Sequence, residues 1–372
     1  MKKSLIALAV LAASGAAMAQ SSVTLYGVLD VGFGKVKDGK WGLNNGEGYS
    51  AGQDGFNSTS VIGFRGTEDL GGGLKANFNL QSGGLDLSSG QFTNDAATLP
   101  GVTPAQRANT GLNFSREAWV GLENAGWGAI QFGRSSSIGA KVMGVYDFNG
   151  TSYSSAYDRA GISAVTWYGS SRRSSQVQYT SPNFGGFVVR AGFTAKGDQG
   201  GTQGVGVADT AKNQYSLGAT FANGPLSVSA VAETKSAEGL RTAYAVGASY
   251  DLQVVKLAAT YNRRERDGDL TKNFNTFSTS GGAAAGGKGW TLAAVAPFGP
   301  ANVGVAYARN TEADMKALEL FANYALSKRT RLYIDFVKGY DQNAVVQPAV
   351  NPTRAAASAN PYAVGLGVVH TF

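Results

Sequence analysis

From Leu25 onward, apolar and polar positions alternate. Leu25, Gly27, Leu29, Val31 and Phe33 fall on one side of an extended chain, with Tyr26, Val28, Asp30 and Gly32 on the other. That period of two predicts a strand. The pattern recurs downstream. Ile62 and Phe64 alternate with Gly63 and Arg65, and Ala76, Phe78 and Leu80 with Lys75, Asn77, Asn79 and Gln81. Val255, Leu257, Ala259 and Tyr261 oppose Lys256, Ala258, Thr260 and Asn262, and Leu332, Ile334 and Phe336 oppose Arg331, Tyr333 and Asp335.

Alternation alone fits a soluble sandwich as well as a membrane barrel. The connections separate the two. Short links run from Asp69 to Gly73, Asn124 to Gly128, Ser181 to Gly186, Ala222 to Pro225, Asp251 to Gln253, Phe298 to Pro300, and Ser327 to Lys328. They alternate with mostly longer ones: Asp38 to Thr59, Gly83 to Leu112, Ser135 to Ser171, Lys196 to Asn213, Lys235 to Arg241, Glu265 to Gly287, Thr311 to Asp314, and Tyr340 to Asn360. Fifteen such links join about sixteen strands, with short turns at one end and long loops at the other, as in an all-β, antiparallel transmembrane barrel. The last segment supports this reading. Tyr362, Val364, Leu366, Val368, His370 and Phe372 share one face. Its ten steps at about 3.3 Å, tilted by about 45°, give a height of roughly 23 Å, close to the apolar band between aromatic girdles.

The N-terminus adds the route. Lys2 and Lys3, an apolar run from Leu5 to Ala13, and Ala17-Met18-Ala19 predict a secretory signal peptide over 1–19, leaving a barrel domain over 20–372. The run is too short to anchor the chain in a bilayer. The sequence has 52 Gly and, with 18 Phe, 16 Tyr and 5 Trp, many aromatics, but no Cys. An exported chain without disulfides needs another source of stability, which a closed ladder of backbone hydrogen bonds supplies. Removing two leader lysines from 32 basic residues leaves 30 against 25 acidic ones, a net charge of +5. These charges are spread along the chain, which argues against nucleic acid as a partner.

Candidate chemistry is sparse. His370 is the sole histidine, and no G-x-S-x-G occurs, so neither a Ser-His triad nor a histidine metal site can be assembled. Gly71-Gly72-Gly73 lacks a following Lys-Ser/Thr and reads as a turn. Asp267 and Asp269 are too few to complete a calcium shell. The reading is therefore of a protein that is not an enzyme, with no cofactor and no metal. Its remaining chemistry is charge on a wetted wall: Lys75, Arg116, Lys256, Glu319 and Arg331 all fall on polar registers.

Several stretches, in order, resemble the general diffusion porins of Gram-negative outer membranes, above all the betaproteobacterial type. They are 23–30 (VTLYGVLD), 63–76 (GFRGTEDLGGGLKA), 116–122 (REAWVGL), 131–134 (QFGR), 179–187 (YTSPNFGGF) and 368–372 (VVHTF). The resemblance implies a homotrimer in the cell outer membrane, with lipid and lipopolysaccharide around it and small hydrophilic solutes and ions passing through. It also implies that the long third loop folds into the lumen and that Phe372 is read by the barrel-assembly machinery. On that loop, Asp147 and Asp158 are the carboxylates expected to face Arg116, Arg159 and Arg172 at the constriction. Val61 and Val28 stand where relatives carry basic residues, and Arg134 shares a face with Ile130 and Phe132, which points it outward. The expectation is passive diffusion with weak to moderate anion preference. A saturable channel for one solute class and a barrel adhesin remain as alternatives.

Overall fold

The computed structural model describes residues 22–36, 41–43, 57–83, 85–87, 91–92, 112–150, 172–195, 212–234, 240–266, 287–311, 315–340 and 362–372. The proposed leader, Asp158, Arg159, Asp267 and Asp269 lie outside them. Apart from the two-residue piece Gly42–Leu43, the 17 strands of the main sheet are sixteen long ones. The first eight are β1 Ser22–Val36, β2 Val61–Gly71, β3 Leu74–Gly83, β4 Glu117–Asn124, β5 Gly128–Ser136, β6 Arg172–Thr180, β7 Phe187–Thr194 and β8 Gln214–Asn223. The remainder are β9 Leu226–Glu233, β10 Leu240–Asp251, β11 Lys256–Arg266, β12 Gly287–Phe298, β13 Ala301–Asn310, β14 Met315–Ala325, β15 Thr330–Tyr340 and β16 Tyr362–Thr371.

Each long strand pairs antiparallel with its sequence neighbours. β1 closes the ring by serving two partners. Its first half runs against β2 from Ser22↔Thr67 to Val28↔Val61, and its second half against β16 from Val28↔Thr371 to Val36↔Ala363. No open edge remains in the long strands, the condition for a sheet in hydrocarbon.

The alternation read from the sequence becomes an inside and an outside. On β15, Leu332 and Ile334 are 40% and 52% exposed, whereas Tyr333, Asp335 and Val337 are at most 4% exposed. Polar groups including Asp30, Gln178, Glu319 and Asp335 are buried, while Leu25, Leu217, Leu292 and Leu366 are open on the exterior. A soluble fold buries the opposite set. Here the exposed leucines meet lipid, and the polar set lines the lumen. The short turns form where expected; Gly71, Gly72 and Gly73 all adopt positive φ between β2 and β3, a conformation that costs other residues energy.

Candidate pore constriction

The connection after β5 carries the only α-helix among the described residues, α1 Ile138–Met143, followed by a 3₁₀ turn at Gly144–Tyr146. Ser137 caps α1 by accepting from Ala140 N at 3.0 Å. Ile138, Val142 and Tyr146, four residues apart, make one apolar stripe and are buried with Met143. The stripe packs on lumen-facing positions without side chains. A Cβ at Gly218 of β8 would lie 2.8 Å from Val142 Cγ2, one at Gly192 of β7 3.0 Å from Ile138 Cγ1, and one at Gly247 of β10 2.5 Å from the Tyr146 ring. Glycine on these three strands makes a recess into which the helix fits. Tyr146 then donates to Ser229 Oγ of β9 at 2.8 Å.

Beyond the helix, the loop continues around the wall. Phe148 lies beneath Lys256 of β11, with 5.2 Å from Nζ to the ring centroid. Asn149 donates to Glu319 of β14 at 2.8 Å and to Asp335 of β15 at 2.9 Å. Asn57, from the connection after β1, bonds to Asn149 Oδ1 at 2.9 Å and to Asp335 at 3.2 Å. Asn57 is itself fixed by Asp30, which accepts from its backbone N–H at 3.0 Å, and by Arg331. Residues 137–150 thus line the lumen from β7 to β15 and narrow it from that side.

The wall of β1 to β4, which residues 137–150 do not reach, carries a supported basic column. Arg116 Nε donates to Gln81 Oε1 at 3.3 Å, and Gln81 Nε2 donates to the Tyr26 hydroxyl at 3.1 Å. That hydroxyl donates to Asn79 at 2.6 Å, and the Tyr26 ring carries the Arg65 guanidinium at 5.0 Å. Lys75 lies further down β3 on the same register. Arg65 belongs in this column although the family resemblance did not single it out; its alternation with Ile62 and Phe64 already placed it on the wetted face. Arg172 sits opposite Ser136 where β6 begins. Arg134 points outward and bonds to Ser174 Oγ at 2.7 Å and to the Ser115 carbonyl.

Asp147 is held among acids. Its Oδ1 accepts from Asn149 N at 3.2 Å and Gly150 N at 3.1 Å. Burial pushes its carboxyl well above the usual range, and the nearby Glu319 and Asp335 carboxylates push the same way. A carboxyl so placed keeps its proton to a higher pH than an exposed one. On α1, burial lowers Lys141 to about 8, partly opposed by Glu117 and aided by Arg190. Its ammonium donates to Gln178 Oε1 at 2.6 Å and to Gln131 Oε1 at 3.4 Å.

The chain has counterparts among known proteins. Residues 5–344 match the family model described as Gram-negative porin. Outer membrane porin protein 32 of Delftia acidovorans is 33% identical, and an outer membrane porin protein of Bordetella pertussis 32% identical, each over 100% of both chains. The solved structure of an anion-selective porin from Comamonas acidovorans superposes with a TM-score of 0.64 at 25% identity, covering 95% of this chain and 100% of that one. The fold extends to a Salmonella typhi OmpF complex, with a TM-score of 0.60 at 16% identity. On the full-length relatives and the family match together, this chain belongs to the Gram-negative porin family of outer-membrane channels.

Proposed function

We propose that this porin is a homotrimeric diffusion channel, and not an enzyme, whose modest anion preference arises from the column Arg116, Arg65 and Lys75. The observation that carries this reading is the support of Arg116 and Arg65 by Gln81 and Tyr26 on the wall facing the inserted loop. Charges fixed in a narrow lumen bounded by low-dielectric protein act on passing ions more strongly than charges on an open surface. Asp147, whose carboxyl burial and the neighbouring Glu319 push up, is the carboxylate on the loop side of the lumen. The Comamonas relative's anion selectivity agrees with this sign. Arg159, Arg172 and Asp158 complete the proposed constriction set, while the barrel-assembly machinery and lipopolysaccharide are the proposed partners outside the pore.

Reversal potentials under a KCl gradient test the reading. Arg116→Ala and Arg65→Ala should each move the reversal potential towards cation permeability by up to severalfold in the permeability ratio, with trimers intact. Unchanged potentials in both variants would remove the column from the mechanism.

A further inference from the structure

Two buried amides sit among charged groups in the lumen, Asn57 and Asn149. Asn149 belongs to the constriction loop, and Asn57 to the segment that leads through Ser58, Thr59 and Ser60 into β2. Asp335 on β15 accepts from both, through Oδ1 from Asn149 at 2.9 Å and through Oδ2 from Asn57 at 3.2 Å. Asn57 Nδ2 also donates to Asn149 Oδ1 at 2.9 Å, and Asn149 Nδ2 to Glu319 on β14 at 2.8 Å.

The surroundings of Asn57 demand an amide. Its Oδ1 accepts from the Arg331 guanidinium, so its Nδ2 faces Asn149 and Asp335. A primary amide offers an acceptor and two donors from one planar group. A carboxylate of the same shape would suit Arg331 but turn lone pairs towards Asn149 Oδ1 and Asp335. Asn57 is also seated independently of the loop. Asp30 Oδ2 accepts from its backbone N–H at 3.0 Å and from that of Ser58, and Asp30 N donates to Ser60 Oγ at 3.0 Å. Tyr333 donates to the other oxygen of Asp30 at 2.8 Å. Asn57 is thus part of the wall, fixed by β1 and β15, and presents the loop with a donor of set direction.

The loop has a second hold in the glycine recess of β7, β8 and β10 that receives Ile138, Val142 and Tyr146. Asp147 and Phe148 span the stretch between the two. With the wall behind it, a stretch released from Asn57 can move only towards the axis of the lumen.

We infer that Asn57 is a positioning residue for the pore: its amide keeps residues 147–150 against the wall and so keeps the channel clear. This role lies beyond ion preference, since it governs how much of the time the lumen is open and not which ions pass, and it rests on the channel reading of the lumen.

The test is Asn57→Asp in the full-length protein, recorded in planar bilayers at fixed voltage. The titratable and charged groups around the position are Asp30 on β1, Glu319 on β14, Arg331, Tyr333 and Asp335 on β15, and Asp147 on the loop. At neutral pH the new carboxylate repels Asp335 and has no proton to donate. The time spent in reduced-conductance states should then rise severalfold over wild type, the factor expected of one hydrogen bond. Beside other acids the new carboxyl holds its proton above the ordinary value, and once protonated it again has a donor for Asn149 or Asp335. The variant-to-wild-type ratio of closed time should therefore fall towards unity by about pH 5. Taking that ratio cancels the titration of Asp147, which both proteins share. Asn57→Ala, with no donor at any pH, should keep its excess of closed time throughout. An excess in Asn57→Asp that does not respond to pH, or a response matched by Asn57→Ala, overturns the inference, because a packing defect alone would give either. A wild type that conducts nothing overturns the channel reading as well, whereas a conducting wild type matched by Asn57→Asp at neutral pH overturns this inference alone. Should the variants fail to assemble, hydrogen exchange of wild type decides. The amides of Asn57 and Ser58, bonded to Asp30, and those of Asn149 and Gly150, bonded to Asp147, should open as one unit with equal protection once corrected for intrinsic rate. Separate opening of the two pairs overturns it.

Discussion

At the scale of single residues, the lumen holds charges whose environments set their protonation. Lys141 sits on the loop helix against Gln178 and Gln131, and burial brings its ammonium down to about 8. Lowering an amine's value means that charge is lost at a lower pH than usual. Lys141 should therefore be mostly charged at pH 7 and mostly neutral at pH 9. The anion-to-cation permeability ratio should decline across that window in wild type, and Lys141→Gln should flatten the decline while keeping conductance. A wild-type ratio constant from pH 7 to 9 would show that Lys141 does not act on permeating ions. Asp147 gives the opposite sign. A carboxyl raised by burial and by Glu319 and Asp335 favours the packed loop while protonated. That contribution is fully present below the ordinary carboxylate value and is lost as pH rises through the raised one. Hydrogen exchange of residues 138–150, corrected for intrinsic rate, should thus show firmer docking at acid pH. Asp147→Asn, which cannot ionise, should remove the difference.

At the scale of elements, the constriction depends on how one short helix meets its wall. Six residues of helix have little stability alone, so α1 owes its form to Ser137, to the stripe Ile138, Val142 and Tyr146, and to the recess at Gly192, Gly218 and Gly247. Gly218→Val should overpack the recess by about 1–3 kcal/mol. Because the barrel ladders do not depend on that contact, the expected result is a wild-type melting temperature within a few degrees, with altered conductance as the helix is displaced. An unaltered conductance would mean that the helix keeps its place by other means. These elements also show what the sequence makes legible. Period-two alternation marks the strands, and the contrast of turns and loops marks the two ends, because each depends on neighbours within one strand or one connection. Ser137 followed by apolar residues at 138, 142 and 146 is an equally local signal of a capped helix. The recess is not legible, since glycines at 192, 218 and 247 acquire meaning only when the strands from β7 to β10 stand side by side. Arg65 could be placed on the wetted face by its register; its support by Tyr26 could not, because those residues lie on different strands. Nor does spacing reveal that Asp147 meets Glu319 and Asp335, which are brought beside it by the closure of the ring.

At the scale of the whole molecule, closure is where sequence ends meet. Phe372 follows β16 and takes part in that seam twice. Its backbone donates to Gly27 O at 3.1 Å and accepts from Gly27 N at 3.2 Å, and its ring lies where a side chain on Gly27 would stand, 2.4 Å from an ideal Cβ. Deleting the residue therefore confuses two roles: the seam loses a reciprocal pair of hydrogen bonds, worth roughly 0.5–1.5 kcal/mol each, and any recognition of the terminal ring is lost with it. Phe372→Ala separates them, because it keeps both backbone bonds and removes only the ring. With 38% of the residue exposed on the outer face, the ring contributes less to stability than a buried phenylalanine would. If the ring is an assembly signal, Phe372→Ala refolded in detergent should melt within a few degrees of wild type and conduct normally, while its level in the outer membrane of growing cells falls severalfold. Phe372→Tyr, which retains an aromatic terminus, should restore most of that level. Matching outer-membrane levels for wild type and Phe372→Ala would leave the residue as a member of the seam alone. A loss of detergent stability as large as the loss in cells would place its role in closure and not in recognition.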